Sequence, residues 1–81
     1  MTRPLGDTQY YVLRSMVTNH DGEWSRITPW VYDTMSRTER IMKSLADRGL
    51  VTALNRYTIR AGHRYPYIQY KVTEAGIALV D

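Results

Sequence analysis

The chain contains no cysteine among its 81 residues. This excludes disulfides, thiolate nucleophiles and cysteine-ligated zinc or iron–sulfur sites, and it suits a reducing compartment. Long apolar runs are also missing: hydrophobic residues make up 43% of the sequence, but no stretch approaches the roughly 20 apolar residues of a membrane span. Polar residues 6–9 follow the first five directly, unlike a signal peptide. We therefore expect a cytoplasmic protein that does not bind a membrane.

Motifs for catalysis and metal binding are missing as well. Serine, histidine and aspartate all occur, but no nucleophile motif or glycine-rich phosphate loop surrounds them. His20 falls in a turn-forming segment and His63 in a basic loop, each without a second ligand at a suitable spacing. We expect neither enzymatic activity nor a cofactor or metal.

The net charge of +3 is unevenly placed along the chain. Between Ser36 and Arg64, seven basic residues stand against two acidic ones, so this segment carries +5 and the remainder −2. The basic residues are Arg37, Arg40, Lys43, Arg48, Arg56, Arg60 and Arg64. Such segregation favours a basic face for a polyanion, although ordinary solvating charges are the alternative.

One domain covering residues 1–81 is expected from the length, with residues 1–6 as a flexible arm. Hydrophobic periodicity, capping residues and turn formers predict an α+β fold. The predicted elements are a helix from residue 7 or 8 to about 18, a strand over 23–27, a short helix from 29 to 33 or 34, a helix over 35–48, a strand over 50–59, a loop over 60–64, a strand over 65–72 and a final short helix over 73–80. Thr28 is the expected cap of the second helix and Pro29 its first residue.

The segment 34–51, TMSRTERIMKSLADRGLV, predicts a helix with one apolar and one cationic side. Thr38, Ile41, Met42 and Leu45 cluster on one side of a helical wheel, and Ser36, Arg40 and Lys43 lie opposite. Thr34 can cap the start, Ser36 with Glu39 offers a competing capping box, and Gly49 ends the helix. One side is expected to pack and the other to face a partner.

The aromatic residues could either pack in the core or form a surface that stacks bases. Trp24 and Trp30 lie beside other apolar residues and are expected in the core. Four hairpin tyrosines interleave with basic residues, as a surface for stacking single-stranded bases requires. They are Tyr57, Tyr65, Tyr67 and Tyr70. Because alternating strands bury one face, we expect at least Tyr70, and also Tyr57, in the core. Pro66 should mark an exposed strand edge.

The order of elements is that of a winged helix-turn-helix domain, and the local sequence shows the same resemblance. Segment 34–51 resembles the recognition helix and exit strand of MarR-type and PadR-type bacterial regulators. Segment 70–76, YKVTEAG, is similar to the one that closes the wing in those families. The match covers about 60 residues.

This resemblance implies binding of double-stranded DNA, with helix 35–48 in the major groove and the wing, 60–64, near the backbone or minor groove. The positions carried over are Ser36, Arg37, Arg40, Lys43 and Ser44 on the helix, and Arg60, His63 and Arg64 on the wing. MarR-type regulators dimerise through long flanking helices that this sequence lacks. A homodimer through its terminal helices is left open.

The leading hypothesis is therefore a small sequence-specific DNA-binding protein, bacterial or phage-like. It would act as a transcriptional repressor or regulator, or as a recombination or architectural factor. The alternative is a winged-helix module that inhibits or recruits a partner protein, motivated by apolar Ile77, Leu79 and Val80 near the end of the chain. Binding of single-stranded nucleic acid is a third hypothesis.

Overall fold

A computed structural model of the chain describes residues 5–27 and 30–80. Within these ranges the protein is a small α+β domain of three helices and a three-stranded antiparallel sheet with strand order β1-β3-β2. The elements are α1 (Asp7–Asn19), β1 (Glu23–Ser25), α2 (Met35–Asp47), β2 (Val51–Arg60), β3 (His63–Val72) and α3 (Glu74–Val80). Among the described residues, no helix has both the length and the apolar character needed to cross a membrane.

Helix α2 begins and ends within one residue of its predicted bounds. The side chain of Thr34 accepts a hydrogen bond from the backbone N–H of Arg37 at 3.1 Å, so Thr34, and not Ser36, is the cap. Gly49 follows the helix with a φ of 74°. This left-handed conformation lets the N–H of Leu50 donate to the carbonyl of Leu45 at 3.0 Å, which satisfies the last turn.

The core lies between the helices and one face of the sheet. Its buried side chains are Val12, Leu13 and Met16 of α1, Met42 and Leu45 of α2, and Trp24, Val51, Tyr70 and Val72 of the sheet. The predicted apolar side of α2 is confirmed, because Thr38, Met42 and Leu45 are buried and Ile41 packs half-buried against them. Trp24 is buried as expected, and Trp30 is partly buried against the same core.

The predicted short second helix is wrong for residues 30–34, the part of it that the structure describes. Residues 30–34 form no helix, whereas Thr28 and Pro29 lie outside the described residues. The carbonyl of Trp30 accepts a hydrogen bond from the indole of Trp24 at 2.7 Å, and the N–H of Tyr32 donates to the Thr38 hydroxyl at 3.1 Å. Asp33 has a φ of 63°, which a right-handed helix excludes. Side chains from β1 and α2 therefore bond the backbone of this segment.

Strands β2 and β3 form a hairpin that is longer than the sequence predicts. Their register runs without interruption from Val51↔Val72 to Arg60↔His63. Only Ala61 and Gly62 connect them, with φ values of 48° and 80°. Two consecutive positive φ values are what a type I′ turn requires. The predicted five-residue loop over 60–64 is therefore wrong, and Arg60, His63 and Arg64 belong to the strands.

The outer half of the hairpin extends away from the core. Strand β1 pairs with β3 only as far as Ser25↔Gln69, so β3 has a free edge beyond that point. Pro66 lies there and, within residues 5–27 and 30–80, pairs only with Tyr57, which confirms its predicted edge position. Tyr57 is 56% exposed, so its expected burial is wrong: the strand passes the end of the core before reaching it. The molecule consequently measures 47 × 23 × 20 Å.

Candidate nucleic-acid interface

The hairpin has two faces that differ in their residues. Side chains alternate between faces along each strand, and directly paired residues share a face. The inner face continues from the core residues Val51, Tyr70 and Val72. Farther out it carries Asn55, Tyr57, Ile59, Arg64, Pro66 and Ile68. The outer face carries Leu54, Arg56, Thr58, Arg60, His63, Tyr65, Tyr67, Gln69 and Lys71.

Four of the five predicted site residues on α2 are exposed. Ser36, Arg37, Arg40 and Lys43 are exposed, on the side of α2 away from the buried Thr38, Met42 and Leu45. This arrangement follows from the helical period, since positions three and four apart share a side. The helix thus presents arginine, lysine and serine side chains to solvent along about two of its turns.

A groove of about 490 Å³ separates α2 from β3. Ser36, Glu39, Arg40 and Lys43 line it from the helix, and Pro66, Tyr67 and Ile68 line it from the hairpin. One wall is therefore cationic and the other apolar. The groove places the predicted helix residues Ser36, Arg40 and Lys43 beside the hairpin, but none of the predicted hairpin residues lines it.

Two ion pairs involve side chains of α2, and the first of them lines this groove. Arg26, which follows β1, pairs with Glu39 of α2, and its Nη2 also donates to Glu39 at 3.0 Å. Arg37 Nη1 lies 3.0 Å from the carboxylate of Asp33, one helical turn earlier. All four side chains are at least 37% exposed, so these pairs contribute little to stability. Their carboxylates do reduce the positive potential along α2.

The three predicted hairpin residues separate onto the two faces. Arg64 lies on the inner face, with its guanidinium 4.7 Å from the centroid of the Tyr57 ring. Such a cation–π contact orients the arginine. Arg60 and His63 pair with each other on the outer face, directly beside the Ala61–Gly62 turn. The hairpin tip therefore presents cations in two directions.

Ser44 lies apart from the other helix residues of the predicted site. It is half-buried, and its hydroxyl accepts a hydrogen bond from Gln9 Nε2 at 2.7 Å. The carbonyl oxygen of the same Gln9 side chain accepts from the N–H of Gly6 at 3.3 Å. Ser44 therefore connects α2 to the start of α1 and does not line the groove.

Sequence reasoning missed Arg26 and Ile68 as residues of the groove. Arg26 stands just past a three-residue strand, and only the ion pair with Glu39 directs it toward α2. Ile68 is 47% exposed although its alternation with Tyr70 suggested burial. The ion pair with Glu39 identifies Arg26 and the strand register identifies Ile68, but no local pattern in the sequence identifies either.

Tyr70 lines the inner end of the groove. Burial raises the pKa of its phenol above the ordinary value of 10.0, and the negative charges of Glu39 and Asp47 raise it further. The hydroxyl is therefore uncharged at neutral pH, so it adds no negative charge to the cationic wall.

Comparison of the chain with protein-family models, curated proteins and solved structures gives no match. The class of the protein thus follows from its own architecture. In the described residues it is a small α+β domain with three helices and a three-stranded antiparallel sheet, a layout compatible with that of winged-helix domains.

Proposed function

We propose that this protein is a winged helix-turn-helix domain that binds double-stranded DNA with sequence preference. It would act as a transcriptional repressor or regulator, or as a recombination or architectural factor. The observation that carries the proposal is the groove in which the cationic side of α2 faces the inner face of the hairpin. The non-helical segment 30–34 departs from the usual helix-turn-helix pattern, so the proposal rests on α2 and the hairpin.

The dimensions and chemistry of α2 suit the major groove of DNA. An α-helix with its side chains is about 10–12 Å wide, and the major groove is about 12 Å wide. Arg40 and Ser36 would approach base edges, because arginine and small hydroxyl side chains can make specific contacts there. Lys43 and Arg37 would contact phosphates. Arg64, held by Tyr57, would contact the backbone or minor groove from the hairpin, with Arg60 and His63 close to its tip.

Titration of labelled duplex DNA at several salt concentrations tests this proposal. Each neutralised phosphate should lower the logarithm of the affinity by about 0.9 per unit of log salt concentration. Binding that is absent, or that does not respond to salt, would refute DNA as the partner. Selection from a random duplex library then gives the preferred sequence, and a symmetric motif would indicate a dimer.

Two substitutions separate base reading from phosphate binding. Arg40→Ala should cost about 1–3 kcal/mol on the preferred sequence and less on random DNA, whereas Arg64→Ala should weaken both alike. Arg14→Ala is the control, because Arg14 is exposed on α1 and does not line the groove. Equal losses on the two sequences for Arg40→Ala would remove it from base reading.

A protein partner is the second candidate function. Tyr11 of α1 and Ile77 and Leu79 of α3 are 54%, 42% and 48% exposed. These two helices would also be the contact in a homodimer. Chemical-shift mapping separates the candidates, since DNA should move resonances of α2 and the hairpin, whereas a protein should move those of α1 and α3. Sedimentation with and without DNA gives the oligomeric state.

A further inference from the structure

The outer face of the hairpin combines exposed aromatic rings with cations. Tyr65 is 49% exposed and Tyr67 is half-buried. Tyr67 pairs with Arg56, and Tyr65 pairs with Thr58, which lies between Arg56 and Arg60 on the same face. Each ring therefore has an arginine beside it. From this arrangement we propose that the outer face binds unpaired nucleotides, as a nucleic-acid surface that adjoins the groove beside α2 and shares Arg26, Pro66 and Tyr67 with it.

The charge of the hairpin supports a polyanionic ligand. No aspartate or glutamate occurs between Arg48 and Thr73, so the whole of β2 and β3 is without acidic residues. Of its basic residues, Arg64 alone lies on the inner face, while Arg56, Arg60 and Lys71 lie on the outer face. The outer face is therefore the more cationic of the two, and its cations are separate from those of α2.

One carboxylate lies at the core end of this face. Arg56 Nε donates to Gln69 Oε1 at 3.1 Å, and Gln69 Nε2 donates to Glu23 Oε2 at 3.2 Å. The Gln69 amide thus stands between the arginine and the carboxylate of β1. Tyr65 and Arg60 lie farther along the hairpin, beyond the last pair between β1 and β3. The binding surface accordingly covers the distal part of the face, from Arg56 to the turn.

A concave site lies next to the tyrosines, where the end of β1 leaves the edge of β3 uncovered. This cavity of about 480 Å³ is within the size range of small-ligand sites. Tyr65, Tyr67 and Pro66 form its apolar lining together with Ile27, and Arg26 and Arg60 supply the cations. Rings beside cations are the combination that a nucleobase and its phosphate require.

The spacing of the two tyrosines fits unpaired bases. Residues two apart on a strand are about 6.6 Å apart. This is roughly twice the 3.4 Å spacing of stacked bases, so one base fits between two such rings. In a duplex the base faces are already stacked and only phosphates would be available to this surface. An acidic peptide would use the arginines but would leave the rings without a function. Both tyrosines therefore favour single-stranded nucleic acid over the other two polyanions.

The experiment uses the full chain, a labelled oligothymidylate, a duplex of the same length and polyglutamate as an acidic peptide. Tyr65→Ala should weaken oligothymidylate binding on the order of tenfold, because one stacking contact is lost, and should leave duplex binding within about twofold. Tyr65→Phe retains the ring and should bind normally. Tyr57→Ala is the control for oligothymidylate binding alone, since Tyr57 is a similarly exposed hairpin tyrosine on the inner face, where its contact with Arg64 belongs to the proposed duplex site.

Arg40→Ala should show the reverse pattern, losing duplex and retaining oligothymidylate. Shift mapping on the wild-type chain gives a second measurement: oligothymidylate should move Tyr65 and Arg60, which line the cavity of about 480 Å³ and not the groove, and should leave residues 36–43 unchanged. The proposal is overturned by failure to bind oligothymidylate, by equal losses for Tyr57→Ala and Tyr65→Ala, or by polyglutamate binding as tightly. Since duplex binding is scored separately, this result does not depend on the function proposed for α2.

Discussion

Arg26 and Glu39 form an ion pair that connects the end of β1 to the exposed side of α2. The pair places a carboxylate in the wall of the groove that Arg40 and Lys43 also line. Glu39 therefore orients Arg26 and at the same time opposes the attraction of a polyanion to α2. A substitution at this position removes both effects, which measurements of stability and of DNA affinity report separately.

Glu39→Gln should increase affinity for duplex DNA because it removes a negative charge beside Arg40 without changing the shape of the side chain. The gain should be roughly twofold to fivefold at low salt and should shrink as salt is added. Stability should change by less than about 1 kcal/mol, as for other exposed ion pairs. Titrations of duplex DNA at several salt concentrations measure the affinities of the wild type, of Glu39→Gln and of the control variant Glu74→Gln, whose substitution lies on α3. An equal gain from Glu74→Gln would show that only net charge matters.

Alkaline pH should destabilise the fold through Tyr70. Its pKa is raised in the folded state by burial and by Glu39 and Asp47, whereas in the unfolded chain it ionises near pH 10. Unfolding therefore releases a proton above about pH 10, and stability falls as the pH rises through the folded pKa; below pH 10 this contribution is fully present. Urea unfolding at about pH 9 and about pH 11 should show a smaller loss for Tyr70→Phe than for the wild type.

The control for this prediction is a substitution of Glu39, whose negative charge is the second cause of the raised pKa of Tyr70. Glu39→Gln removes one of the two negative charges, so its alkaline loss should lie between those of the wild type and Tyr70→Phe. An identical loss in Tyr70→Phe and the wild type would show that other groups govern the alkaline transition.

Thr38 should be worth more to stability than an ordinary threonine of a helix. Its side chain is fully buried, its hydroxyl lies 2.9 and 2.8 Å from the carbonyls of Tyr32 and Thr34, and it accepts from the N–H of Tyr32. Thr38→Val keeps the shape of the side chain but removes the hydroxyl that bonds the backbone of Tyr32 and Thr34. We expect it to lower the free energy of unfolding by about 1–3 kcal/mol. Urea unfolding measures this, with Thr18→Val as the control, since Thr18 is an exposed threonine of α1 and its variant is expected within about 0.5 kcal/mol of wild type. Similar values for both would contradict the role given to the hydroxyl.

Local signals in the sequence were sufficient for α2 and for the presence of three strands, but not for the lengths of those strands. The Thr34 cap, Gly49 and the helical period fixed the bounds of α2 and its exposed residues. The short helix before α2 failed because the backbone of 30–34 bonds to Trp24 and Thr38, partners that no local pattern reveals. The turn was missed because a non-glycine residue, Ala61, adopts a positive φ there.

The candidate site was predictable to the same extent. Exposure of Arg37, Arg40 and Lys43 followed from periodicity, but the place of Ser44 depends on Gln9, 35 residues earlier in the chain. The separation of Arg64 from Arg60 and His63 depends on strand register and turn length. With a five-residue loop this separation would not exist, so the two faces of the hairpin could be recognised only from the structure.

Gly76 should be required for the packing of α3, against the usual preference of helices for alanine. A Cβ atom built at this position lies 2.3 Å from the carbonyl oxygen of Leu50 and 2.8 Å from Cγ1 of Val72, so α3 would have to move. Gly76→Ala should therefore lose about 1–3 kcal/mol, although helix propensity alone would favour it by about 1 kcal/mol. The exposed neighbour Ala75 provides the matched control, since Ala75→Gly should lose about 1 kcal/mol from propensity. Thermal or urea unfolding of Gly76→Ala and Ala75→Gly shows whether each substitution raises or lowers the free energy of unfolding. A more stable Gly76→Ala variant would mean that α3 does not approach Leu50 as closely as described.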